Sequence, residues 1–366
     1  MIPSLRIASL LLASLPSLLC AQESQPAFWT VLPTETTASF RGLHALDRSR
    51  AWACGSQGTV VSTTDGGMTW TRHPIEGLEP IELRSIHAWS ANEVVVATAG
   101  TPCRIYRSSD AGQSWQRVAE SEHPNAFIDG LRFWNEDDGF VFGDPLDGRL
   151  MSWISRDAGH SWQPTSDNPF PMRDQEAGFA ASNSSLLVFG NRSVWIGLGG
   201  TVGFAHVITS DDAGTTWKRR EVAPIPSSKS AGIFSMARSA EGKTIVVGGD
   251  YLKPDASIGN IAILDPDGEH WREPTGNRPR GYRSSIAYVS KPIAISVAVL
   301  DSKDHFQRVD LRWIAVGPTG TDGSVDGEDW VPLSDEPFHA LSVGLDNSIW
   351  ASGADGRIAV ATENNR

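Results

Sequence analysis

Tyrosine is scarce in this chain, four residues in 366, and cysteine (three) and methionine (five) are nearly as rare. Basic residues are also in the minority: 31 Lys and Arg stand against 43 Asp and Glu, a formal charge of −12. A surface with that acid excess repels a phosphate backbone, which excludes nucleic acid as a partner. Three cysteines are too few for a disulfide framework, and one of them, Cys20, lies in the N-terminal apolar run. Cys54 and Cys103 could pair in an oxidising compartment, but we read them as two buried thiols. Beyond Leu19 no apolar run is long enough to span a bilayer. The chain also lacks Gly-x-Ser-x-Gly, His-Glu-x-x-His, a Walker lysine and a dinucleotide fingerprint placed between strand and helix, so no cofactor is expected. The "DPDG" at Asp265 resembles the start of a calcium loop, yet the twelfth position is Gly276 rather than an acid, so no metal is expected either.

The first residues, "MIPSLRIASLLLASLPSLLCAQ", combine one Arg, an apolar stretch from Ile7 to Leu19 and small residues near Ala21. That is the pattern of a secretory signal peptide over residues 1–21, cleaved after Ala21. Lipoprotein processing at Cys20 is the alternative, disfavoured by the bulk of Leu19. The mature chain, 22–366, is therefore expected to be a single domain, secreted or periplasmic.

What is abundant is glycine (35) and tryptophan (14), and much of it recurs in one motif. The pattern Ser/Thr-x-Asp-x-Gly-x-Ser/Thr-Trp occurs as "TTDGGMTW" (Thr63 to Trp70), "SSDAGQSW" (Ser108 to Trp115), "SRDAGHSW" (Ser155 to Trp162) and "SDDAGTTW" (Ser210 to Trp217). The motif tryptophans are 45, 47 and 55 residues apart, and shortened copies, "DPDGEHW" and "SVDGEDW", end at Trp271 and Trp330. Between them run short β-branched and aromatic segments ending in glycine, such as "AWACG", "GFVFG", "TIVVGG" and "IWASG". Four strands per unit of this length is a propeller blade. The segment after Trp330 holds three strands and lacks a fourth. "FWTVLP" (Phe28 to Pro33) can supply it by pairing with "GRIAVAT" (Gly356 to Thr362), which closes the ring without open edges. The expected fold is all-β, a seven-bladed propeller closed by its terminal strands.

Within each motif we assign structural roles. Asp65, Asp110, Asp157 and Asp212 accept turn amides, Gly supplies positive φ, and Trp70, Trp115, Trp162 and Trp217 bury their rings between strands. Acids repeated once per blade are spread round the rim and cannot converge on one substrate. The motif resembles the Asp-box, or bacterial neuraminidase repeat, of sialidases, sortilin-type receptors and photosystem II stability/assembly factors. The unit "GSQGTVVSTTDGGMTW" (Gly55 to Trp70) is most similar to the last of these. That resemblance implies the propeller fold and, by extension, an assembly or maturation factor; because the box is scaffold, it fixes fold better than function.

Chemistry should then sit on the inner strands and the loops at their starting ends. Aligning the first strand of each unit places Arg41, Arg84, Asp129, Glu176, Arg283 and His339 round the axis, with Asp144, Asp250 and Thr319 in the turns after the second strands. Such a ring could hold a small anionic or sugar-like group, or its members could pair with one another across a water-filled channel. We expect a non-catalytic propeller that takes a protein or polymer partner through its loop face. The alternative is an exo-acting glycoside hydrolase of sialidase type, drawing on Arg41, Arg84 and Arg283 for a substrate carboxylate, Tyr282 or Tyr288 as nucleophile, and Glu176 or Asp129 as acid.

Overall fold

The computed structural model describes residues 27–298 and 306–362. The expected signal peptide, with Cys20, therefore lies outside the described residues. Seven four-stranded antiparallel sheets follow one another round the ring. The first blade is typical: Phe40–Ala45 runs nearest the axis, Ala51–Gly55 and Val60–Thr63 follow outward, and Thr71–Arg72 forms the rim. The inner strands of the next five blades are Leu83–Ala88, Ile128–Phe133, Leu186–Phe189, Ala231–Arg238 and Ser285–Ala298. The seventh blade contributes Ala340–Val343, Ile349–Ser352 and Ile358–Ala361, and takes Trp29–Leu32 as its rim strand. The two segments expected to close the ring do pair, Trp29 with Ala361 and Leu32 with Ile358. The Trp29 indole also donates to Thr321 Oγ1 at 2.8 Å, which ties this closure to the sixth blade.

The core is distributed between neighbouring blades rather than gathered at a centre, because each sheet buries both faces. The middle strands read as continuous apolar runs, "VVVAT" and "AWACG", buried at every position. One packed cluster joins Trp52, Cys54 and Val60 of the first blade to Leu83, Ile86 and Val96 of the second, and comparable clusters fill the other interfaces. Cys54 and Cys103 are both free and buried, as expected, and burial pushes both thiols upward in pKa.

The motif turns lie between third and fourth strands, at the end of each sheet opposite the starts of the inner strands. Their hydrogen bonds divide the labour differently from the sequence expectation. In the third blade the Ser155 hydroxyl accepts from the buried Gly159 amide at 2.8 Å and donates to Asp157 Oδ1, also at 2.8 Å. Asp157 in turn accepts from the Ser161 amide (2.9 Å) and hydroxyl (2.6 Å). The same set recurs at Asp65, Asp110 and Asp212, and these donors hold the Asp65 and Asp110 carboxyls down at about 2. The buried member of each turn is thus the hydroxyl residue, with the carboxylate outside it.

Two outcomes check this architecture. Ser155→Ala leaves the buried Gly159 amide unpaired and should cost roughly 1–3 kcal/mol in denaturant unfolding; an unchanged midpoint would show that the turn is not built as described. Removing residues 27–34 opens an edge of the seventh blade and should lower the melting temperature sharply or cause aggregation; an unchanged melting temperature would refute the closure.

Candidate functional site

The axis of the ring is occupied by the chain itself. The segment from Phe179 to Ser185, "FAASNSS", precedes the inner strand of the fourth blade and is almost entirely buried. Its polar groups are matched to neighbours all round the ring. Arg41 of the first blade donates Nη1 to Ala181 O at 3.4 Å, and Arg84 of the second donates Nη1 to Ala180 O at 3.2 Å. Asn183 reaches the second and third blades through Nδ2 to Ile86 O (3.2 Å) and to Leu131 O (3.1 Å), while its Oδ1 accepts from Leu131 N at 2.8 Å. Arg132 of the third blade donates Nε to Asn183 O at 3.0 Å. Ser184 meets Ser235 of the fifth blade at 2.6 Å and accepts the Met236 amide at its carbonyl at 2.8 Å. Ser182 donates to Ser284 O, ahead of the sixth-blade inner strand, at 2.7 Å. Buried backbone groups need partners, and the small side chains let the segment lie close enough to six blades to find them. In place of a water-filled channel the structure has a plug.

Above the plug, at the end where the inner strands begin, Arg41 and Arg84 come together. Each side chain is about a quarter exposed. Glu82 lies between them, 2.7 Å from Arg84 Nη2 and 3.7 Å from Arg41 Nε, so two guanidinium groups share one carboxylate. Burial, reinforced by the charge of Arg84, lowers the Arg41 pKa. His339 lies beside them, and burial together with Arg41, Arg357 and Arg84 drives its pKa down to about 3, so it is neutral at pH 7. Tyr282 closes this mouth on one side, packed in an aromatic series in which Phe179 stacks on Phe234 at 4.0 Å and Phe234 meets the Tyr282 ring at 4.7 Å and the Tyr251 ring at 6.3 Å. Burial raises the Tyr282 pKa, and Arg41 and Tyr251 are the charged and titratable groups acting on it.

Of the six residues expected round the axis, Arg41, Arg84 and His339 meet at this mouth, and Arg283, Glu176 and Asp129 do not. Arg283 is fully buried inside the sixth blade. Its Nε donates to Asp322 Oδ2 at 2.9 Å, its Nη2 to the same carboxylate, and its Nη1 to Thr319 at 2.7 Å. An inward-facing acid on the third strand, Asp322, captures the guanidinium before it can reach the axis, so the expected clamp by Arg84 and Arg283 does not form. Glu176 is not on an inner strand at all. It sits ahead of the plug, where Arg219 Nη2 donates to it at 2.6 Å and the Arg173 amide at 3.0 Å, with His206 Nδ1 3.6 Å away. The inner strand of that blade begins ten residues later, at Leu186, because the plug is inserted between them. Asp250 stays near the surface, accepting the Leu252 amide at 3.0 Å with Lys253 3.6 Å away. Tyr288 packs on Trp313 and accepts from Arg312 at 3.3 Å, so it too is engaged in its blade. The residue set expected of a sialidase-type centre is therefore dispersed.

Asp129 and Asp144 form a separate arrangement. Asp129 is buried and Asp144 half-buried on the third blade, directly against the plug: the Asp129 carboxylate fills the space a Cβ on Gly178 would need, 2.6 Å from its Oδ2. The two acids are neighbours whose charges bear on one another. Asp129 Oδ2 and Asp144 Oδ1 are without a hydrogen-bond partner. Burial, together with the neighbouring Asp144 charge, raises the Asp129 pKa well above the ordinary value, against the opposing pull of Arg84. Burial raises Asp144 as well, while the Gly178 amide works against the shift. Two adjacent carboxylates in low dielectric cannot both ionise, so the pair titrates as a unit.

Glu82 and the plug escape residue-by-residue inspection. Glu82 stands in a loop, "PIELRS", with no motif to mark it. The plug did leave a trace: the interval from Trp162 to Trp217 is 55 residues against 45 and 47 before it, and the excess contains the run of small polar residues ending at Ser185. At the opposite end of the axis His44 and His87 meet edge to face at 4.6 Å, with burial holding His44 at about 3 and His87 well below its ordinary value. Among the described residues no group of three or more His, Cys, Asp or Glu is placed to hold a metal.

The acid pair has a measurable signature. With its pKa raised on folding, the native state keeps a proton that the unfolded chain loses near pH 4, so stability falls as pH rises towards the folded value. Asp129→Asn removes that loss, so its stability relative to wild type should increase steadily as pH rises above 4. A difference independent of pH would show that Asp129 does not keep its proton in the folded protein.

Comparison with known proteins matches part of the sequence to one family model and the fold to propellers of several kinds. The family model of the Photosynthesis system II assembly factor YCF48 matches residues 21–126. Among solved structures, "YCF48 bound to D1 peptide" is 16% identical, with a TM-score of 0.60 over 93% of this chain and 99% of that one. YCF48 from Cyanidioschyzon merolae is 15% identical, with a TM-score of 0.60 over 93% and 100%. A GH74 xyloglucanase from Xanthomonas campestris is 17% identical, with a TM-score of 0.58, but its matched part is 54% of that chain. No curated protein matches the sequence. The chain thus resembles the YCF48-type assembly-factor propellers in its N-terminal blades by sequence and throughout by fold.

Proposed function

We propose that this propeller is a non-catalytic binding module, exported through its N-terminal segment, that holds a protein partner on the face where the inner strands begin, in the manner of an assembly or maturation factor. The observation that carries this is the plugged axis. With the channel filled by Phe179 to Ser185, the polar groups that could have lined a pocket are committed to the plug, and what stays open is a mouth of Arg41, Arg84 and Glu82 set among aromatic rings. Arginine beside aromatic side chains is the composition of a protein-recognition surface. The peptide-bound YCF48 structure supports the same direction, since a propeller of this fold has been solved with a peptide.

The hydrolase alternative needs a nucleophile and an acid within reach of one sugar. Here Tyr282 is buried under Phe234, and Asp129 and Asp144 lie behind Gly178. Photo-crosslinking in the native host distinguishes the two. A crosslinker replacing exposed Glu79, the residue after Leu78 and three before Glu82, should give a discrete protein adduct that disappears when Arg41 and Arg84 are both changed to Ala. One replacing Met68, on the opposite face and 75% exposed, should give none. Adducts from Met68 alone, or turnover of an aryl sialoside by the purified protein, would overturn the proposal.

A further inference from the structure

Among the described residues nine large apolar side chains stand in the open; Val31, Met68, Val325 and Leu345 stand apart, and the other five gather in one region. Val202 is 96% exposed, Ile258 81% and Leu252 70%, with Phe204 and Tyr251 also outside. Val202 and Phe204 lie in the loop after the second strand of the fourth blade and at the start of the strand that follows it, and Tyr251, Leu252 and Ile258 in the loop after the second strand of the fifth. Both loops grip the same stretch, Pro224 to Ser230, which carries the chain from one blade to the next. On one side Gly200 N donates to Ser228 O at 3.1 Å, the Thr201 and Ser227 hydroxyls meet at 3.5 Å, and Phe204 pairs with Pro226 across the strands. On the other side Tyr251 N donates to Ser230 O at 3.1 Å, and a Cβ on Gly259 would lie 2.4 Å from the Pro226 ring. The exposed side chains therefore form one continuous ridge. Its inner end is Tyr251, which meets Phe234, which meets Tyr282 at the arginine mouth.

Charge along the ridge selects the occupant. Lys253 faces Asp250 at 3.6 Å, and exposed Lys229 and Asp255 offset each other. The remaining excess is the second guanidinium of the Arg41 and Arg84 pair, which Glu82 alone does not balance. A second copy of this chain would bring the same cationic mouth together with its own −12 charge, and an anionic membrane would meet that same net repulsion. Contiguous exposed apolar surface of this kind marks an interaction site.

We propose, building on the partner-binding reading above, that the ridge from Val202 to Tyr251 seats apolar side chains of an extended peptide segment of the partner, whose adjoining acidic group lies at Arg41 and Arg84. The ridge supplies desolvation of alternate apolar side chains and the arginines fix the direction of the segment.

The test is selection of a random displayed peptide library on the whole mature protein. Enriched sequences should carry alternating Leu, Ile, Val or Phe next to an acidic residue or a free carboxylate. Their affinity should fall about tenfold on the Val202→Asp, Ile258→Asp double variant, a difference of about 1.4 kcal/mol, while that variant melts as wild type because both side chains are already in solvent. Arg41→Ala with Arg84→Ala should abolish the acidic preference and keep the apolar one. A polar or basic consensus, unchanged affinity on the double variant, or no enrichment overturns the assignment. So does ridge-dependent self-association in sedimentation, or ridge-dependent binding to phosphatidylcholine vesicles. If the Glu79 adduct survives in the double variant, the ridge assignment alone falls; if wild type gives no such adduct, the partner-binding reading falls with it.

Discussion

Seven inner strands arranged round an axis leave a void lined by backbone and small side chains, and something must occupy it without stranding polar groups. Here the chain does so itself. Residues 179–185 turn inward before the fourth blade, and the carbonyls of Ala180, Ala181, Asn183 and Ser184 and the side chains of Ser182, Asn183 and Ser184 are met by groups from other blades. Arg41, Arg84, Arg132, Asn183 and the serine contacts are all consequences of that one insertion. Buried carbonyls accept from fixed guanidinium groups, and buried hydroxyls accept backbone amides such as Ile286 N on Ser235 Oγ at 2.9 Å. The plug thereby links blades that are not adjacent in sequence, which a ring of nearest-neighbour contacts would not do.

Filling the axis relocates whatever chemistry the molecule has. A small ligand would compete with a segment already hydrogen-bonded to six blades, whereas the mouth above it stays accessible, with two arginines, one glutamate and an aromatic series. The Asp129 and Asp144 pair lies just beneath, against Gly178, at the root of the plug. The raised pKa of Asp129 links the packing of the plug to pH, and Arg84 connects the pair to the mouth, since that side chain acts on Asp129 and holds both Ala180 and Glu82.

The blade count, the closure and the positions of most strands were legible because they rest on short-range signals: Gly-terminated β-branched runs, motif spacing, and a missing fourth strand with one segment free to supply it. The site was legible only in part, for definite reasons. Arg41, Arg84 and His339 align because their strands start at equivalent places. Glu176 was misplaced because the alignment assumed a blade of ordinary length, while the plug pushes the true inner strand to Leu186. Arg283 occupies roughly the aligned position but faces Asp322, and the direction of a buried side chain depends on a partner far along the chain that periodicity cannot reveal. The motif aspartates accept turn amides as read from sequence, yet the buried contact belongs to the hydroxyl two residues earlier, which periodicity does not distinguish from the exposed one.

The central claim is that residues 179–185 form a fixed plug and not a loop lying over an open channel. Amide hydrogen exchange read by mass spectrometry on peptides spanning 179–198, 128–133 and 231–238 tests it directly. A fixed plug predicts that the Ala181 amide, bonded within it, and those of Leu131 and Met236 that bond to it, exchange as slowly as the middle strands of the blades, because they open only with the ring. Exchange of the plug at the rate of the exposed loops, with the strands still protected, would contradict the account.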